Sequence, residues 1–457
     1  MPIQRLFVAN RGEIAVRVIR AAQSLGIETV LGVSAADRDS VGARLATRAV
    51  VLGEAAATRS YLNMKLVVHA ALATGCDAVH PGYGFLSERS AFAELCEQEG
   101  LVFVGPRPET IHELGDKLRA RAIAVANNVP VVPGTDRIES AETAREAAEE
   151  IGFPVVMKAS AGGGGRGMFV AESPRDIASS FDRASQEALA AFGDGTLYME
   201  RYVRTARHVE VQVLGDGKGK VLHFGERDCS IQRRYQKLVE EAPCTAMPDD
   251  TRKRLHAAAV KLCSALDYRN AGTVEFLYDV ERDEFHFIEV NARIQVEHPV
   301  SECISGEDLV AHQLRIAAGE ALDIDQAQVS LSGHAIEYRI NAEDPDRAFS
   351  PAPGRITRWV PPRGEHIRLD SHCETGYLVP PFYDSLIGKL IVRGSSREEV
   401  VRESVTALQD FSIEGIRSNL ELQRFIAAHT DFANNRLSTR WLEQTGLPEF
   451  TAREERH

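Results

Sequence analysis

"VVMKASAGGGGRGMFVAE" (Val155–Glu172) sets four consecutive glycines between two apolar runs, with Lys158 just ahead of them. Glycine loses more backbone freedom on ordering than any other residue, so such a cluster needs a reason. Gly162, Gly164 and Gly167 match G-x-G-x-x-G on paper, but a dinucleotide turn must run from strand into helix. Here "GMFVAE" follows, which has the make-up of a second strand. Nor does a G-K-[ST] close the glycines, so a Walker A loop does not fit either. What remains is strand, glycine loop, strand. The backbone N–H groups of such a hairpin can close over phosphate oxygens because no Cβ intervenes. Lys158 on the incoming strand would add positive charge beside those phosphates, as in flaps that cover a nucleotide. A surface hairpin without a ligand would fit the same letters.

The rest of the chain narrows the choice. Its 457 residues allow two to four domains, and 44% hydrophobic with 26% charged residues is an ordinary globular composition. The net charge is −13 with no lysine- or arginine-rich block, so nothing draws the protein to nucleic acid or to an anionic membrane. An anionic substrate must then be met by local cations. The seven cysteines (Cys76, Cys96, Cys229, Cys244, Cys263, Cys303 and Cys373) are widely spaced and never form C-x-x-C. That argues against a disulfide framework or a zinc site and for a reducing compartment. "MPIQRLFVANRGEIAVRVIR" carries charges through its apolar stretch, unlike a signal peptide. No apolar run approaches the roughly 20 residues needed to cross a bilayer. A cytoplasmic globular protein is expected.

The first hundred residues alternate short apolar runs with amphipathic segments: "RLFVAN", "GEIAVRVIRAAQSLG", "ETVLGVS", then "KLVVHAALATG", "DAVHPG", "FAELCEQEG", "LVFVGP". Strand and helix in turn, with glycine at helix ends, predict a doubly wound parallel sheet. "VHPGYGFLSE" (Val79–Glu88) then sits at a strand end, where ligand loops commonly lie. Helices are expected near 117–128 and 141–151. The stretch 208–291 reads as mostly β, and a strand-rich section begins near Ser330, followed by helical "REEVVRESVTALQDF". The closing "TAREERH" reads as a frayed tail.

A second signal is "TVEFLYDVERDEFHFIEVNAR" (Thr273–Arg293). Folded as a hairpin turning near Arg282, it sets Glu275 directly opposite Glu289. Asn291 shares that face, and Val274, Phe276, Ile288 and Val290 take the other. Opposed like charges are destabilising, strongly so in an apolar setting. A divalent cation between them removes the penalty, and magnesium suits hard oxygen ligands that share the ion with nucleotide phosphates. A slipped register or a solvated acid is the plain alternative. Next comes "ARIQVEHPVSE", in which Arg293 can fork onto a small planar oxyanion and Glu297 can serve as a general base. Alone, those two would read as a surface pair.

Taken together, "ANRGEIAVRVIRAA", "HPGYGFLSE", "GDK", "KASAGGGGRGM", "RHVEVQVL", "ERDCSIQRRYQKLVEEAP", "AGTVEFL", "FIEVNARIQVEHPVSE", "YRINAEDP" and "PPFYDSLIGKLIV" resemble the biotin carboxylases, the ATP-grasp component of biotin-dependent carboxylases. The resemblance runs from Leu6 to about Leu442. It implies an α/β fold in three parts: a doubly wound N-terminal domain (1–114), an ATP-grasp domain (115–329) with a mobile glycine-rich lid (about 131–203), and a strand-rich C-terminal domain (330–447). A tail (448–457) would follow.

The activity implied is carboxylation of biotin by bicarbonate and ATP, with Mg2+ or Mn2+, through carboxyphosphate. Carried across, Lys117 and Lys158 would bind phosphates under a flap holding Gly164 and Gly165. Glu200, Arg201, Tyr202 and Val203 would border the adenine, with His208 and Gln232 nearby. Glu275, Glu289 and Asn291 would hold the metal. Lys237, Arg293, Gln295 and Val296 would surround bicarbonate, with Glu297 as its base, and Arg339 with Tyr83 at the pocket edge would face the biotin ureido group. Two positions depart from the family pattern. Tyr235 replaces the histidine of "RRHQK", which puts a nucleotide contact there in doubt, and Arg201 stands where lysine is common. No A-M-K-M-like biotinylation motif is present, so biotin is expected on a separate carrier protein, with carboxyltransferase subunits as further partners and a homodimer as the assembly. Acetyl-CoA carboxylase, and so fatty acid synthesis, is the expected setting. The alternatives are a subunit of another acyl-CoA or keto-acid carboxylase, an ATP-grasp ligase acting on a different acid, and a silent ATP-binding scaffold.

Overall fold

The computed structural model describes residues 2–159 and 168–454. Gly164 and Gly165 lie outside them. Near the N-terminus β1 (Arg5–Val8), β2 (Glu28–Ser34), β3 (Arg48–Gly53), β4 (Ala78–His80) and β5 (Val102–Phe103) form a wholly parallel sheet in the order β3-β2-β1-β4-β5. Helices Gly12–Ser24, Met64–Ala73 and Ser90–Gln98 connect its strands. The first of them buries Ile14, Ala15, Val18, Ile19 and Ala22, the stripe expected of an amphipathic helix. Strand order reverses between β1 and β4, and the loop after β4 passes over that crevice. Gly82 and Gly84 adopt φ of +63° and +67°, a left-handed conformation that glycine reaches without strain and that frames Tyr83 between them.

The glycine-flanking strands pair as the sequence implies. β6 (Val155–Ala159) and β7 (Phe169–Ala171) run antiparallel with Met157 opposite Phe169, and β8 (Leu197–Arg201) completes a three-stranded sheet on the other side of β6. Helices Ala141–Ile151 and Ile177–Phe192 cover it, giving this small unit a core of its own around Ala144, Ala148, Val155, Met157, Leu197 and Met199.

An eight-stranded antiparallel sheet carries the site. It contains β9 (Ala206–Asp216), β10 (Val221–Arg233), β11 (Gln236–Ala242), β12 (Arg269–Asp279), β13 (Glu284–Asn291) and β14 (His334–Asn341) in the order β13-β12-β9-β10-β11-β14. Leu386–Gly394 and Ile367–Ser371 follow at the far edge. Valines 209, 211 and 213 of β9 join Val274 and Phe276 of β12 in the main core, which leaves His208, Glu210 and Gln212 on the opposite face.

Three expectations need correction. A 17-residue helix, Asp249–Ala265, interrupts the stretch read as mostly β. Its start signals were in the letters: Pro248 at the cap and Asp249 and Asp250 in the first turn. The presumed tail begins as a helix, Leu447–Glu454, whose buried Phe450 packs edge-on against Phe425 with ring centroids 5.6 Å apart. Finally, Ile288 does not face the core. The register steps from Glu275↔Glu289 to Phe276↔Phe287, so Ile288 is the extra residue of a β-bulge and is turned outward.

Candidate active site

Across the sheet, Glu289 of β13 lies opposite Glu275 of β12, which lies opposite Glu210 of β9, which lies opposite Arg227 of β10. Three carboxylates in one cross-strand row would repel strongly. The protein supplies the compensating charge. From β11, Lys237 Nζ reaches Glu210 at 2.5 Å, Glu275 at 3.0 Å and Glu297 at 2.6 Å. Arg227 holds Glu210 at 2.6 Å, His208 meets Glu275 at 2.9 Å, and Lys117 stands 3.3 Å from Glu289. Burial alone would raise the Glu275 carboxyl, but Lys237 and His208 outweigh it and hold the group ionised well below the usual carboxylate range. Burial likewise opposes the charge on Lys237, yet its three acids raise its pKa well above the ordinary lysine value. His208, expected near the adenine from the family pattern, is thus engaged with the Glu275 carboxylate.

The segment after β13 folds around this row. Asn291 Nδ2 and Gln295 Nε2 donate to Glu275 Oε1 at 2.8 and 3.1 Å. The Arg293 guanidinium is steered by Glu88 (2.9 Å), Asn291 Oδ1 (2.8 Å) and Gln295 Oε1 (2.7 Å). Glu297, fully buried, accepts from Lys237 through one oxygen and from Arg339 through the other at 2.9 Å. Arg339 also binds Glu240 at 2.5 Å. The Val296 carbonyl is taken by Lys389 at 2.8 Å, and the Tyr83 hydroxyl donates to Glu13.

On the lid side, Lys158 Nζ contacts Glu200 at 2.5 Å, with Arg121 on the other Glu200 oxygen at 3.7 Å. The Arg201 guanidinium turns to Glu284 at 3.1 Å and His286 at 3.4 Å, while its backbone N–H bonds Pro133. Tyr202 is gripped by Arg440 from the C-terminal domain, and Val203 is buried. Gln232, also buried, pairs with Lys237 across β10 and β11. Tyr235 occupies the exposed two-residue turn between these strands, and its hydroxyl contacts Met168 Sδ at 3.7 Å, beside the glycine stretch.

The structure therefore gathers Lys237, Arg293, Gln295 and Arg339 around Glu275 and Glu297, with Glu289 at the edge of the row against Lys117. It also brings in residues that the sequence reading passed over: Glu210, Arg227, Glu88 and Glu240. Only Glu210 had a local signal, since it alternates with valines in "HVEVQVL" and so shares a face with His208 and Gln212. As a metal site, Glu275 and Glu289, opposed on one face, offer carboxylate oxygens, while Asn291 is already spent on Glu275 and Arg293; His208, Glu210 and Glu275 also lie close enough together to share one ion. Carboxylate oxygens are the donor chemistry magnesium or manganese takes.

A doubly wound domain, a small three-stranded sheet and an antiparallel sheet bearing buried acids make up the architecture of an ATP-grasp ligase. The family models agree with it: the biotin carboxylase N-terminal domain matches residues 2–111, the ATP-binding domain of the carbamoyl-phosphate synthase L chain matches 116–325, and the biotin carboxylase C-terminal domain matches 337–444. A biotin carboxylase of a Nostoc species is 47% identical, covering 97% of this chain and 99% of its own. Biotin carboxylase 1 of Bacillus subtilis is 46% identical over 96% and 98%. Among solved structures, a Campylobacter jejuni biotin carboxylase complex with β,γ-ATP superposes with a TM-score of 0.91 at 44% identity, covering 97% and 99% of the two chains. The biotin carboxylase domain dimer of Hydrogenobacter thermophilus 2-oxoglutarate carboxylase, with MgADP, ADP and bicarbonate, gives 0.90 at 43% over 98% and 99%. The chain belongs to the biotin carboxylase family. It is an enzyme, and its activity is the ATP-dependent carboxylation of biotin. Among the described residues, no helix is long and apolar enough to cross a membrane.

Proposed function

We propose that the protein carries out the first half-reaction of acetyl-CoA carboxylase in the cytoplasm, carboxylating biotin presented by a carrier protein, as a homodimer working with carboxyltransferase subunits for fatty acid synthesis. Lys117 and Lys158 neutralise the nucleotide phosphates, and Glu200–Val203 border the adenine. Glu275 and Glu289, with Asn291 beside them, would hold magnesium, which would supply charge compensation for the transferring phosphoryl group. Bicarbonate is a poor nucleophile, so it must be fixed and deprotonated. Lys237, Arg293, Gln295 and the Val296 backbone fix it, and Glu297 takes its proton.

An oxygen of the resulting carbonate then attacks the γ-phosphorus, ADP leaves, and carboxyphosphate forms. Its breakdown gives CO2 and phosphate beside biotin. The N1′ proton passes to that phosphate, Arg339 stabilises the negative ureido oxygen, and N1′ attacks CO2. Lys237, kept protonated by three acids, acts here through its charge and not as a base. A closed site keeps water from the unstable intermediate.

The observation that carries this reading is Glu297 itself. One carboxylate, buried completely, touches Lys237 at 2.6 Å and Arg339 at 2.9 Å, joining the cation assigned to bicarbonate with the cation assigned to biotin. Purified protein with free biotin and MgATP is expected to release ADP only when bicarbonate is present. No bicarbonate-dependent ADP release would refute the reading. Stimulation by other carboxylates without biotin would favour a different acid substrate.

A further inference from the structure

Behind the bicarbonate loop lies a second buried ion pair with no part in the reaction as written. Lys389 sits on Leu386–Gly394 directly across from Arg339 on β14, so the two side chains share one face of the sheet. The two cations hold consecutive residues. Arg339 takes the Glu297 carboxylate at 2.9 Å, and Lys389 Nζ donates to the Val296 carbonyl at 2.8 Å. Lys389 is completely buried, and its counter-ion, Glu13 in the first turn of helix Gly12–Ser24, lies 3.1 Å away. The same Glu13 oxygen accepts the Tyr83 hydroxyl. One ion pair from two distant parts of the chain thus touches the bicarbonate loop on one side and the biotin-facing tyrosine on the other.

We infer that Lys389 and Glu13 are a positioning pair that sets the Val296–Glu297 peptide and the Tyr83 hydroxyl together, so that the bicarbonate and biotin halves of the site are aligned by one buried contact. A trans peptide holds its N–H antiparallel to its C=O, so fixing the Val296 carbonyl also fixes the direction of the Glu297 N–H and the origin of the Glu297 side chain. The pair has a structural cost that invites a functional reason. Among the described residues, Glu13 Oε2 has no hydrogen-bond partner although it is buried, and neither oxygen of the nearby, fully buried Glu337 has one. A site selected for stability alone is better served by apolar side chains of similar volume.

The inference rests on the biotin carboxylase reading, and the test separates the two. Wild-type protein must first show ADP release that needs bicarbonate and rises with biotin; if it does not, that reading fails before any variant is made. The variant is Glu13→Gln with Lys389→Met, which removes both charges of the pair, while Asp370, 4.0 Å from Lys389, keeps Arg368 at 2.7 Å. We expect the bicarbonate KM to rise about tenfold or more and biotin-dependent turnover to fall about 10²-fold, the scale of a misplacement of about 1 Å, with the ATP KM within about twofold of wild type. Wild-type bicarbonate KM and biotin stimulation in this variant overturn the inference. So does a uniform loss of all activities with every KM unchanged, the mark of a smaller folded fraction. Glu13→Gln alone, which keeps size and an acceptor for both Tyr83 and Lys389, is the gentler second variant. Its bicarbonate KM should rise about threefold or more, because the contact is weakened and not removed, and an unchanged value overturns the inference even if the double variant fails to fold.

Discussion

Replacing Glu297 with glutamine tests the centre of the mechanism with the smallest change in shape. Burial would raise this carboxyl, but Lys237, Arg339 and Arg227 together hold it ionised well below the usual carboxylate range. While both cations grip it, it is therefore a poor base; on the proposed reading, bicarbonate on Lys237 and biotin on Arg339 would relax that grip. Loss of a general base costs about 10²–10⁴-fold in turnover, or about 3–5 kcal/mol in the barrier. The cost to the fold should be smaller. Lys237 keeps Glu210 and Glu275, and Arg339 keeps Glu240, so no cation is left unpaired. The glutamine oxygen can still accept one of the two bonds, which leaves roughly one charge-assisted hydrogen bond, about 1–3 kcal/mol, to be lost. The assay is bicarbonate- and biotin-dependent ADP release, with MgATP binding measured alongside by calorimetry. Binding within about threefold of wild type together with a turnover loss of at least 10²-fold is expected. Turnover within tenfold of wild type would refute the assignment of Glu297 as base.

Glu289→Gln removes one of two opposed metal-site acids, and turnover should fall by about 10²-fold or more at ordinary magnesium; unchanged activity in the ADP assay sinks the metal assignment. Tyr235→Phe should leave the ATP KM within about twofold, because the hydroxyl is turned toward Met168 and the ring is exposed; a large rise would show a nucleotide contact there. His80 gives a pH prediction. Its pKa is lowered to about 4, chiefly by burial, against a weaker opposing effect of Gln313. Its Nδ1 already accepts the Gly82 N–H at 3.0 Å, so a protonated ring would set two donors face to face. Between the unfolded value near 6.5 and the folded value the unfolded chain binds more protons, so stability falls as pH drops through that window, by about 2 kcal/mol at pH 5. His80→Asn, whose amide oxygen can accept from Gly82, should give a shallower fall of the thermal midpoint from pH 7 to 5; an identical slope counts against the assignment.

What the letters reveal and what they hide follows one division. The Glu275–Glu289 pair was legible because a hairpin of known turn position fixes the cross-strand partner by counting. The bulge at Ile288 was not, since an extra residue leaves the composition of the strand unchanged and breaks the period only locally. Glu210 shows the same limit from another direction. Charged residues between valines read as a solvated face, and only the return of the segment after β13, with Glu297 on Lys237 and Ser301 on Arg227, turns that face into a buried one. Glu88, Glu240 and Lys389 each stabilise a site residue distant in the chain: Arg293, Arg339 and Val296. No periodicity links such positions, because the contact exists only once three separately encoded units share the sheet and its loops. The reacting groups are thus concentrated in short strings that chemistry makes readable, whereas the groups that aim them are scattered. The latter are also the residues whose replacement should change a Michaelis constant before it changes the fold.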